Sequence, residues 1–389
     1  MRVIGMMSGT SFDAVDAAAA DLEVVGDTVV LRPLGLVSQE YPKPVRAALV
    51  AALPPAATTM EQVCRLDTGI GQAFAALAER ANRELCDGAA DLVVSHGQTV
   101  YHWVDGSQVR GTLQIGQPAW IAERTGLPVV SDLRARDVAA GGQGAPLVSA
   151  LDVLWLHGRG RTTAALNLGG IANVTVVDPD RDPVAFDTGP ANALIDAAVH
   201  HASQGRSSYD VDGRLAAAGR VDAGLLQTLL AEPYYRRRPP KSTGKELFNH
   251  RYVESIAARL PSLDTADLLA TLTALTAETV ADSLRELGVA EVVASGGGTL
   301  NPVLMTALRD RLPGVSMVTT DVLGIPSAAK EAYAFAFLGF MTVSGLASTV
   351  PHCTGARHAS LLGSLTPGRV GFPVADQLSQ QPTTLQVRP

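Results

Sequence analysis

Two segments of this chain share one pattern, and this repeat restricts the possible folds more than any other feature of the sequence. Residues 3–20 pass from an apolar stretch through a turn of glycine and mostly small polar residues into a second apolar-rich stretch. Residues 163–177 repeat that order about 160 residues further along, with Gly169 and Gly170 in the turn. An apolar strand, a glycine turn and a second strand predict a β-hairpin. Two such hairpins predict two related lobes.

Helical patterns fill the stretches between the hairpins. We predict helices over 61–85, 184–202, 266–287, 302–312 and 328–345, and a buried strand over 289–294. Strands that alternate with helices in both halves predict an α/β architecture. Residues 374–389 are rich in Gln, Ser, Pro and Thr, and we expect them to form a disordered tail.

Composition excludes several classes of protein. A length of 389 residues allows two to three domains, and a net charge of -7 argues against a nucleic-acid partner. The three cysteines have neither metal-site nor disulfide spacing, which predicts reduced thiols. The first residues resemble no secretory signal, and the longest apolar stretch, 333–340, is too short to span a membrane. We therefore expect a soluble, cytoplasmic protein with no membrane partner.

The first glycine turn is a candidate phosphate site. Its residues are Gly9, Thr10, Ser11, Phe12, Asp13, Ala14, Val15 and Asp16. Backbone N–H groups of a tight turn can surround a phosphate, and the hydroxyls add donors. Asp13 or Asp16 could hold Mg²⁺ directly or through water, since Mg²⁺ takes few carboxylates in phosphate sites. The alternative is a plain hairpin in which Asp13 forms an Asx turn.

The second glycine turn offers the same chemistry from the other lobe. Gly169 and Gly170, with Asn173 behind them, would bind phosphate there. A plain glycine hairpin is the alternative for this segment alone. The two turns together favour a phosphate-binding function more than either does separately.

Three consecutive glycines, Gly296, Gly297 and Gly298, lie between a buried strand and the start of a helix. A phosphate or a nucleoside can approach there because no Cβ obstructs it and the helix dipole favours anions. The spacing is not G-x-G-x-x-G, so a dinucleotide-binding fold is a weak interpretation. Close packing of helix and strand is an equally good explanation of these glycines.

Several polar residues are candidates for substrate chemistry. Asp187 ends a short apolar run before a helix, where it could be a general base or an N-cap. His96 and Gln98 follow a strand and offer neutral groups suited to a sugar, although a histidine there is often structural. Asp132 and Arg134 lie in a charged loop that precedes a glycine-rich segment. This pattern predicts either a polar substrate pocket or a solvated loop with local ion pairs.

The segment 239–246 contains Gly-Lys but is not a P-loop, because the upstream glycine is missing and Glu246 follows the lysine. A capping box from Thr243 to Glu246 is the alternative interpretation. Only four of the 31 basic residues are lysines, and Lys241, Lys245 and Lys330 lie in the motif segments. We infer either chance placement or sites that an arginine could not occupy.

Taken together, these motifs resemble the anhydro-N-acetylmuramic acid kinase family. The matching stretches, in chain order, are GMMSGTSFDAVD (5–16), SHGQTV (95–100), DLRARDVAAGGQGAPLV (132–148), LNLGGIANVT (166–175), FDTGPANALID (186–196), PPKSTGKELFN (239–249), SGGGTLNPVLM (295–305) and AAKEAYAFAFLG (328–339). The resemblance implies a two-lobed ATPase fold of the actin/hexokinase/Hsp70 type with duplicated RNase H-like lobes. The expected lobes are residues 1–130 and 131–340, with the C-terminal helix and a segment from about 340 to 372 packing back on the first.

The resemblance also implies an activity. Family enzymes use ATP and Mg²⁺ to phosphorylate O6 of 1,6-anhydro-N-acetylmuramic acid in cell-wall recycling, while water opens the anhydro bridge at C1. The turn at 9–16 would be the first ATP-phosphate loop, 169–170 the second, and 296–298 the loop beside adenosine. Asp187 is then the general base, Glu331 orients the substrate, and Lys330 contacts it. The expected partner is a small sugar, and a homodimer is the expected assembly.

Three positions depart from the family pattern: Ala14, Ala191 and Ala328, which follows Ser327 where the family often has Pro-Asp. A positive φ at Ala14 or Ala191 would cost about 1 kcal/mol relative to glycine. A kinase for another anhydro-sugar or for a hexose is an alternative function. A non-catalytic, nucleotide-gated sugar-binding protein is another.

Overall fold

The computed structural model describes residues 1–9, 12, 14–53, 56–106, 108–244, 247–373, 377–378 and 380–389. They form two units, Met1–His157 with Ala329–Pro389, and Gly158–Ala328. This division differs from the expected one at 130/131. The reason is that residues up to 157 make their contacts within the first unit, as in the ion pair of Asp152 with Lys330. The segment that rejoins this unit begins at Ala329 rather than near 340.

The first unit is built on a sheet with helices on it. Its strands are β1 (Arg2–Met7), β2 (Ala14–Val25), β3 (Thr28–Glu40), β4 (Leu92–Ser95), β5 (Gln98–Asp105), β6 (Gln108–Ile115), β7 (Val129–Ser131), β13 (Ser364–Thr366) and β14 (Thr384–Val387). Its helices are α1 (Lys43–Ala52), α2 (Met60–Leu85), α3 (Ala119–Thr125), α4 (Ala135–Ala139), α5 (Ser149–Leu156), α12 (Lys330–Val343) and α13 (Pro351–Thr354).

The sheet of the first unit has the strand order β13-β7-β4-β1-β2-β3-β14. Strands β1, β2 and β3 form an antiparallel meander, while β4 and β7 run parallel to β1. The apolar runs of β1 and β4 are buried, as expected for strands covered on both faces. Helix α12 packs so closely on β1 at Gly5 that a Cβ there would collide with the backbone of Ala332 and Ala336.

The second unit repeats this topology. Its strands are β8 (Thr163–Leu168), β9 (Ile171–Val177), β10 (Val184–Pro190), β11 (Glu291–Ser295) and β12 (Ser316–Thr319), and its helices are α6 (Asn192–Ala202), α7 (Arg214–Ala218), α8 (Ala223–Leu230), α9 (His250–Arg259), α10 (Thr265–Glu286) and α11 (Pro302–Arg311). The order β10-β9-β8-β11-β12 matches β3-β2-β1-β4-β7, with the same parallel and antiparallel pairs. The predicted α/β fold with duplicated lobes is confirmed.

Three expectations need correction. Residues 184–190 are strand β10, not helix, because they pair with β9 as the third strand of the meander. Residues 384–387 of the expected disordered tail form β14 beside β3, with Leu385 buried. The helix expected from the capping box at Thr243 begins instead at His250, capped by Asn249, and Glu246 lies outside the described residues. In the part of the chain described, we find no helix with the length and apolarity of a membrane span.

Candidate active site

The side chain of Gln98 holds the first glycine turn in place through a hydrogen bond. This side chain is fully buried, and its Nε2 donates to the carbonyl oxygen of Gly9 over 3.3 Å. Its Oε1 accepts from Ser8 Oγ at 2.7 Å and from Tyr41 OH at 3.1 Å. Thr10, Ser11 and Asp13 lie outside the described residues. Gln98, a predicted substrate contact, is therefore engaged with the protein at both ends of its amide.

The residues that follow the turn enter strand β2 at once. Ala14 pairs with Glu40, Val15 is buried, and Asp16 pairs with both Met7 and Ser38 in the sheet. Burial raises the pKa of the Asp16 carboxyl, and a hydrogen bond with Ser38 opposes the rise. Phe12, which precedes the strand, has a φ of 58°.

Neither of the two alanine departures that raised a question of strain has a positive φ. Among the described residues with positive φ, neither Ala14 nor Ala191 occurs. Ala191 has a φ of -111°, just before helix α6. At the third departure, 327–328, the carbonyl oxygen of Ser327 accepts from the N–H of Gly296 in the glycine loop described below, over 3.0 Å. Neither position therefore has the left-handed backbone that would favour glycine.

His96 and Arg134 are brought together in the first unit. Nε of Arg134 donates to Nε2 of His96 over 2.8 Å, and Nη1 of Arg134 donates to the carbonyl oxygen of Gly144 over 2.6 Å. The ring of His96 lies 4.7 Å from that of Phe335, centre to centre. Burial, and then the charge of Arg134, lower the pKa of His96 to about 3. The imidazole is therefore neutral.

The loop after strand β7 is built around a buried carboxylate that the sequence did not single out. Asp137 is fully buried, and its two oxygens accept from Gly144 N and Thr354 Oγ1, each at 2.7 Å. Burial raises the pKa of Asp137. Asp132 remains exposed in a left-handed conformation, with a φ of 53°, and partial loss of water raises the pKa of its carboxyl too. This is not a freely solvated loop.

Lys330 and Glu331 occupy the first turn of helix α12. Lys330 is buried, and its Nζ lies 2.7 Å from Oδ1 of Asp152, which is also buried. Glu331 is half-buried beside it. Successive residues on a helix point in different directions. Lys330 therefore pairs with Asp152 in the interior of the first unit, and the side chain of Glu331 points in a different direction.

In the second unit, the glycine turn caps helix α6. The carbonyl oxygen of Gly170 accepts from the N–H groups of Ala191 and Ala193, at 2.9 and 3.0 Å. The carbonyl oxygen of Gly169 accepts from the backbone N–H and the side-chain Nδ2 of Asn192, both at 3.0 Å. A phosphate contact at this turn would therefore use its N–H groups. Asn173 pairs with Asn167 in the hairpin behind it.

The three glycines at 296–298 pack against that same hairpin. Gly296 has a φ of 84°, and its N–H donates to the carbonyl oxygen of Ser327 over 3.0 Å. A Cβ at Gly298 would lie 2.7 Å from Cβ of Leu168, which leaves no room for one. A Cβ at Gly297 would meet no atom within 4 Å. Close packing therefore explains Gly296 and Gly298 but not Gly297.

Asp187 is held by a segment distant in the sequence. Its backbone N–H donates to the carbonyl oxygen of Lys241 over 3.1 Å, and its Oδ2 accepts from the N–H of Thr243 over 2.8 Å. Tyr234 OH donates to its carbonyl oxygen over 2.8 Å. Asp187 lies within strand β10 and caps no helix, so the N-cap alternative is wrong. Sequence reasoning missed the roles of Thr243 and Tyr234, although Thr243 lies in a motif segment.

Lys241 lies in an aromatic environment beside Asp187. Its Nζ is 5.0 Å from the ring centre of Tyr234 and 5.5 Å from that of Phe186. It donates to the carbonyl oxygen of Tyr235 over 3.1 Å. Burial lowers the pKa of Lys241, which nearby carboxylates, Asp187 among them, partly oppose. Lys245 lies outside the described residues.

Comparison with known proteins gives matches along nearly the whole chain. A family model described as anhydro-N-acetylmuramic acid kinase matches residues 1–368. The anhydro-N-acetylmuramic acid kinase of Rhodococcus erythropolis is 60% identical over 100% of this chain and 99% of its own length. That of Streptomyces coelicolor is 62% identical over 100% and 99%. The one from Caldanaerobacter subterraneus is 39% identical over 94% and 96%.

Among solved structures, similarity is distant. A ROK family glucokinase from Streptomyces griseus, in complex with glucose and AMPPNP, is 14% identical with a TM-score of 0.40. The match covers 87% of this chain and 99% of that one.

Proposed function

Because this chain belongs to the anhydro-N-acetylmuramic acid kinase family, we propose that its substrate is 1,6-anhydro-N-acetylmuramic acid. It is an ATP-dependent sugar kinase. In our proposal the γ-phosphoryl group goes to O6 of the sugar, water opens the anhydro bridge, and the products are N-acetylmuramic acid 6-phosphate and ADP. Such a reaction would serve the recycling of cell-wall sugars.

The chemistry of the substrate determines where a base is needed. O6 is an ether oxygen bonded to C1 and has no proton to lose. When the O6–phosphorus bond forms and the O6–C1 bond breaks, water must add to C1 and release a proton. One carboxylate near that water suffices, and general base catalysis typically contributes ~10²–10⁴-fold.

The observation that carries the assignment of this base is the anchoring of Asp187. Its carboxylate is oriented by the N–H of Thr243, and its backbone is fixed on both sides by Lys241 and Tyr234. A carboxylate with few orientations available can remain aligned with the attacking water, which is the positional requirement of general base catalysis. We propose that Glu331 orients the sugar.

The nucleotide loops follow from the same proposal. Phosphoryl transfer needs mainly positioning and charge neutralisation, which the N–H groups of the turns at 9–16 and 169–170 would supply. Gly297 is exposed with no atom near its Cβ position, which suits close approach by the nucleoside. The loop 296–298 would therefore adjoin adenosine.

We also propose that Mg²⁺ accompanies ATP. Asp13, the residue expected to hold it directly or through water, lies outside the described residues. Among the described residues, no three His, Cys, Asp or Glu side chains form a metal site. A magnesium–nucleotide site needs only one or two carboxylates. Asp16, the other carboxylate at the end of this turn, would be the second candidate ligand. Bound Mg²⁺ would neutralise charge on the β- and γ-phosphates.

The test combines ATP, 1,6-anhydro-N-acetylmuramic acid and ¹⁸O-labelled water, read by mass spectrometry. We expect a phosphorylated product with one label at C1. Phosphorylated sugar without the label would exclude bridge opening and favour an ordinary hexose-kinase reaction. Binding of sugar and ATP without any product would favour the non-catalytic alternative.

The base has its own test, Asp187→Asn. We expect turnover to fall by about 10²–10⁴-fold while ATP binding is retained. Asp182→Asn changes an exposed carboxylate in the loop before the same strand and serves as the matched control. Turnover that is equal in both variants would reject Asp187 as the base.

A further inference from the structure

The sheet of the first unit ends on two short strands that both follow helix α12 in the chain. Strand β13 covers the outer side of β7, and strand β14 covers the outer side of β3. Residues 369–389, which include β14, lie beyond the stretch 1–368 that the family model matches. The family pattern therefore does not explain why β14 is present.

Strand β14 is held on β3 by hydrogen bonds at both of its ends and by one buried side chain. The N–H of Thr383 donates to the carbonyl oxygen of Asp27 over 2.8 Å, and that of Arg388 donates to the carbonyl oxygen of Leu31 over 2.9 Å. Between these bonds the two strands run parallel. Leu385 is the residue of β14 that is buried, at 4% exposure, and helix α5 packs against the strand.

The part of β3 that β14 covers is apolar. Val29, Val30 and Leu31 are fully buried, and such side chains favour extended strands. The backbone groups of alternate residues point to the same side of a strand. Val29 lies midway between Asp27 and Leu31, so its N–H and C=O face β14 as well. Without β14, these groups would form an open edge, which is a template for pairing with another chain.

The remainder of β3 carries its own protection against such pairing. Arg32 is charged and pairs with Glu23 at 2.7 Å, and Pro33 has no N–H to donate. The pairing with β2 shifts its register next to Pro33, and such a bulge twists an edge out of alignment. Further along, Nη1 of Arg80 donates to the carbonyl oxygen of Ser38 over 3.3 Å. The stretch under β14 is the part of the strand that lacks these features.

Strand β14 replaces the apolar edge with one that is poorly suited to pairing. It is four residues long, and Pro382 and Pro389 stand on either side of it. Gln386 within the strand and Arg388 just after it are exposed. Short length, prolines and charge are the means by which edge strands avoid pairing with other chains. The exchange of edges therefore changes what the sheet presents to other molecules.

We propose that β14 prevents the edge of β3 at Thr28–Leu31 from pairing with the same edge of a second copy of this chain, and that Leu385 anchors this cover. Two identical edges can pair antiparallel about a two-fold axis, so the second copy needs no other complementary surface. The inference is independent of the proposed function, because it concerns the edge of a sheet and involves neither sugar nor nucleotide.

The test uses the full chain with Leu385→Asp. A charge at this buried position disfavours the docked strand, so β14 should leave β3. We expect the mass measured by analytical ultracentrifugation to rise with protein concentration beyond that of the wild type. Gln386→Asp places the same charge at the neighbouring, exposed position and is the matched control, which should behave as the wild type. An unchanged mass in Leu385→Asp, or equal association in both variants, would overturn the proposal.

Hydrogen exchange at the amides of Val29 and Leu31 locates the association. In the wild type we expect both amides to be protected at every protein concentration. In dilute Leu385→Asp the protection should fall about tenfold or more, and it should return at high concentration as a second copy replaces β14. Association without returning protection would place the contact elsewhere and contradict the proposal. Protection that is kept in the dilute variant would reject Leu385 as the anchor.

A second substitution tests the edge itself. Lysine on an edge strand opposes pairing, so Thr28→Lys combined with Leu385→Asp should abolish the concentration-dependent association while Val29 and Leu31 remain unprotected. Association that persists in this double variant would count against the edge of β3. Leu385→Ala removes the anchor without adding a charge, and it should show the same changes to a smaller extent if Leu385→Asp does not fold. Circular dichroism establishes that each variant is folded.

Discussion

Nε of Arg134 donates a hydrogen bond to Nε2 of His96 over 2.8 Å, which fixes the protonation of the histidine. A guanidinium has no acceptor, so Nε2 must carry the lone pair. The proton is therefore on Nδ1, which donates to the carbonyl oxygen of Gly97 over 2.8 Å. A protonated imidazole would lose the bond from Arg134 and place two cations together in a buried site. The pKa of His96 is accordingly lowered to about 3.

The first prediction concerns stability against pH. Between about pH 6.5 and pH 4 the unfolded chain takes up a proton on His96 that the folded chain does not. The free energy of unfolding should therefore fall with decreasing pH, by up to about 1.4 kcal/mol per pH unit from this group. His96→Gln keeps an acceptor for Arg134 without a titrating group and should show a shallower fall. Urea unfolding at several pH values measures this.

The control for this prediction is His201→Gln. His201 is exposed in the last turn of α6, so its replacement controls for the loss of a histidine outside the buried site. His102 contributes to the background in every variant, because burial also lowers its pKa. Equal slopes in His96→Gln and the wild type would contradict a buried neutral imidazole at position 96.

The second prediction concerns the buried ion pair of Lys330 and Asp152. Lys330→Met leaves an unpaired buried carboxylate, which should lower the free energy of unfolding by about 3–5 kcal/mol. Lys330→Met combined with Asp152→Leu removes both charges and should recover most of that loss. A double-mutant cycle in urea measures the coupling. Additive effects of the two substitutions would contradict the pair.

The same double variant tests the substrate contact expected of Lys330. Once stability is recovered, kcat/KM for the sugar can be compared with that of the wild type. Recovery of both quantities would show that Lys330 acts only through Asp152. A loss of kcat/KM that persists would assign it a contact with the substrate.

The sequence was sufficient for the parts of the fold that depend on local patterns. The hairpins around Gly9 and Gly169, and a helix such as α10, follow from periodicity and turn residues within a few positions. Strand β14 does not, because Thr384 pairs with Thr28, 356 residues away. Alternating polar and apolar residues in this polar tail form a strand only because the edge of β3 supplies backbone hydrogen-bond partners.

The candidate site divides in the same way. Asp187 could be predicted as a site residue because its motif is contiguous in the sequence. Its orientation could not, because the N–H that binds its carboxylate belongs to Thr243, 56 residues away. Gln98 was expected to contact the sugar from its chemistry alone, and its amide is engaged by Ser8 and Gly9. Which group a buried amide binds is decided by tertiary packing, which local spacing does not contain.

The third prediction concerns Lys241. Its ammonium contacts the rings of Tyr234 and Phe186, and its backbone carbonyl accepts from Asp187. Lys241→Met should lower stability by about 0.5–2 kcal/mol, the range for a partly desolvated cation over an aromatic ring. It should also lower kcat with little change in KM for ATP, because the segment that orients Asp187 is loosened. Steady-state kinetics and thermal unfolding measure both effects.

Lys241→Arg and Lys43→Met complete this test. Arginine keeps the charge but not the compact ammonium, so we expect an intermediate kcat. Lys43 is exposed at the start of α1, and its replacement should change neither quantity. Wild-type kcat in both Lys241 variants would show that this residue does not position Asp187.

The fourth prediction separates packing from nucleotide binding in the glycine loop. Gly298→Ala places a Cβ 2.7 Å from Cβ of Leu168, so overpacking should lower stability by about 1–3 kcal/mol. Gly297→Ala meets no atom within 4 Å and should leave the Tm unchanged. If adenosine approaches this loop, Gly297→Ala should nevertheless raise KM for ATP several-fold, because the new methyl group occupies the space the nucleoside needs. Thermal unfolding and KM for ATP distinguish the two effects, and an unchanged KM in Gly297→Ala would remove this glycine from the nucleotide site.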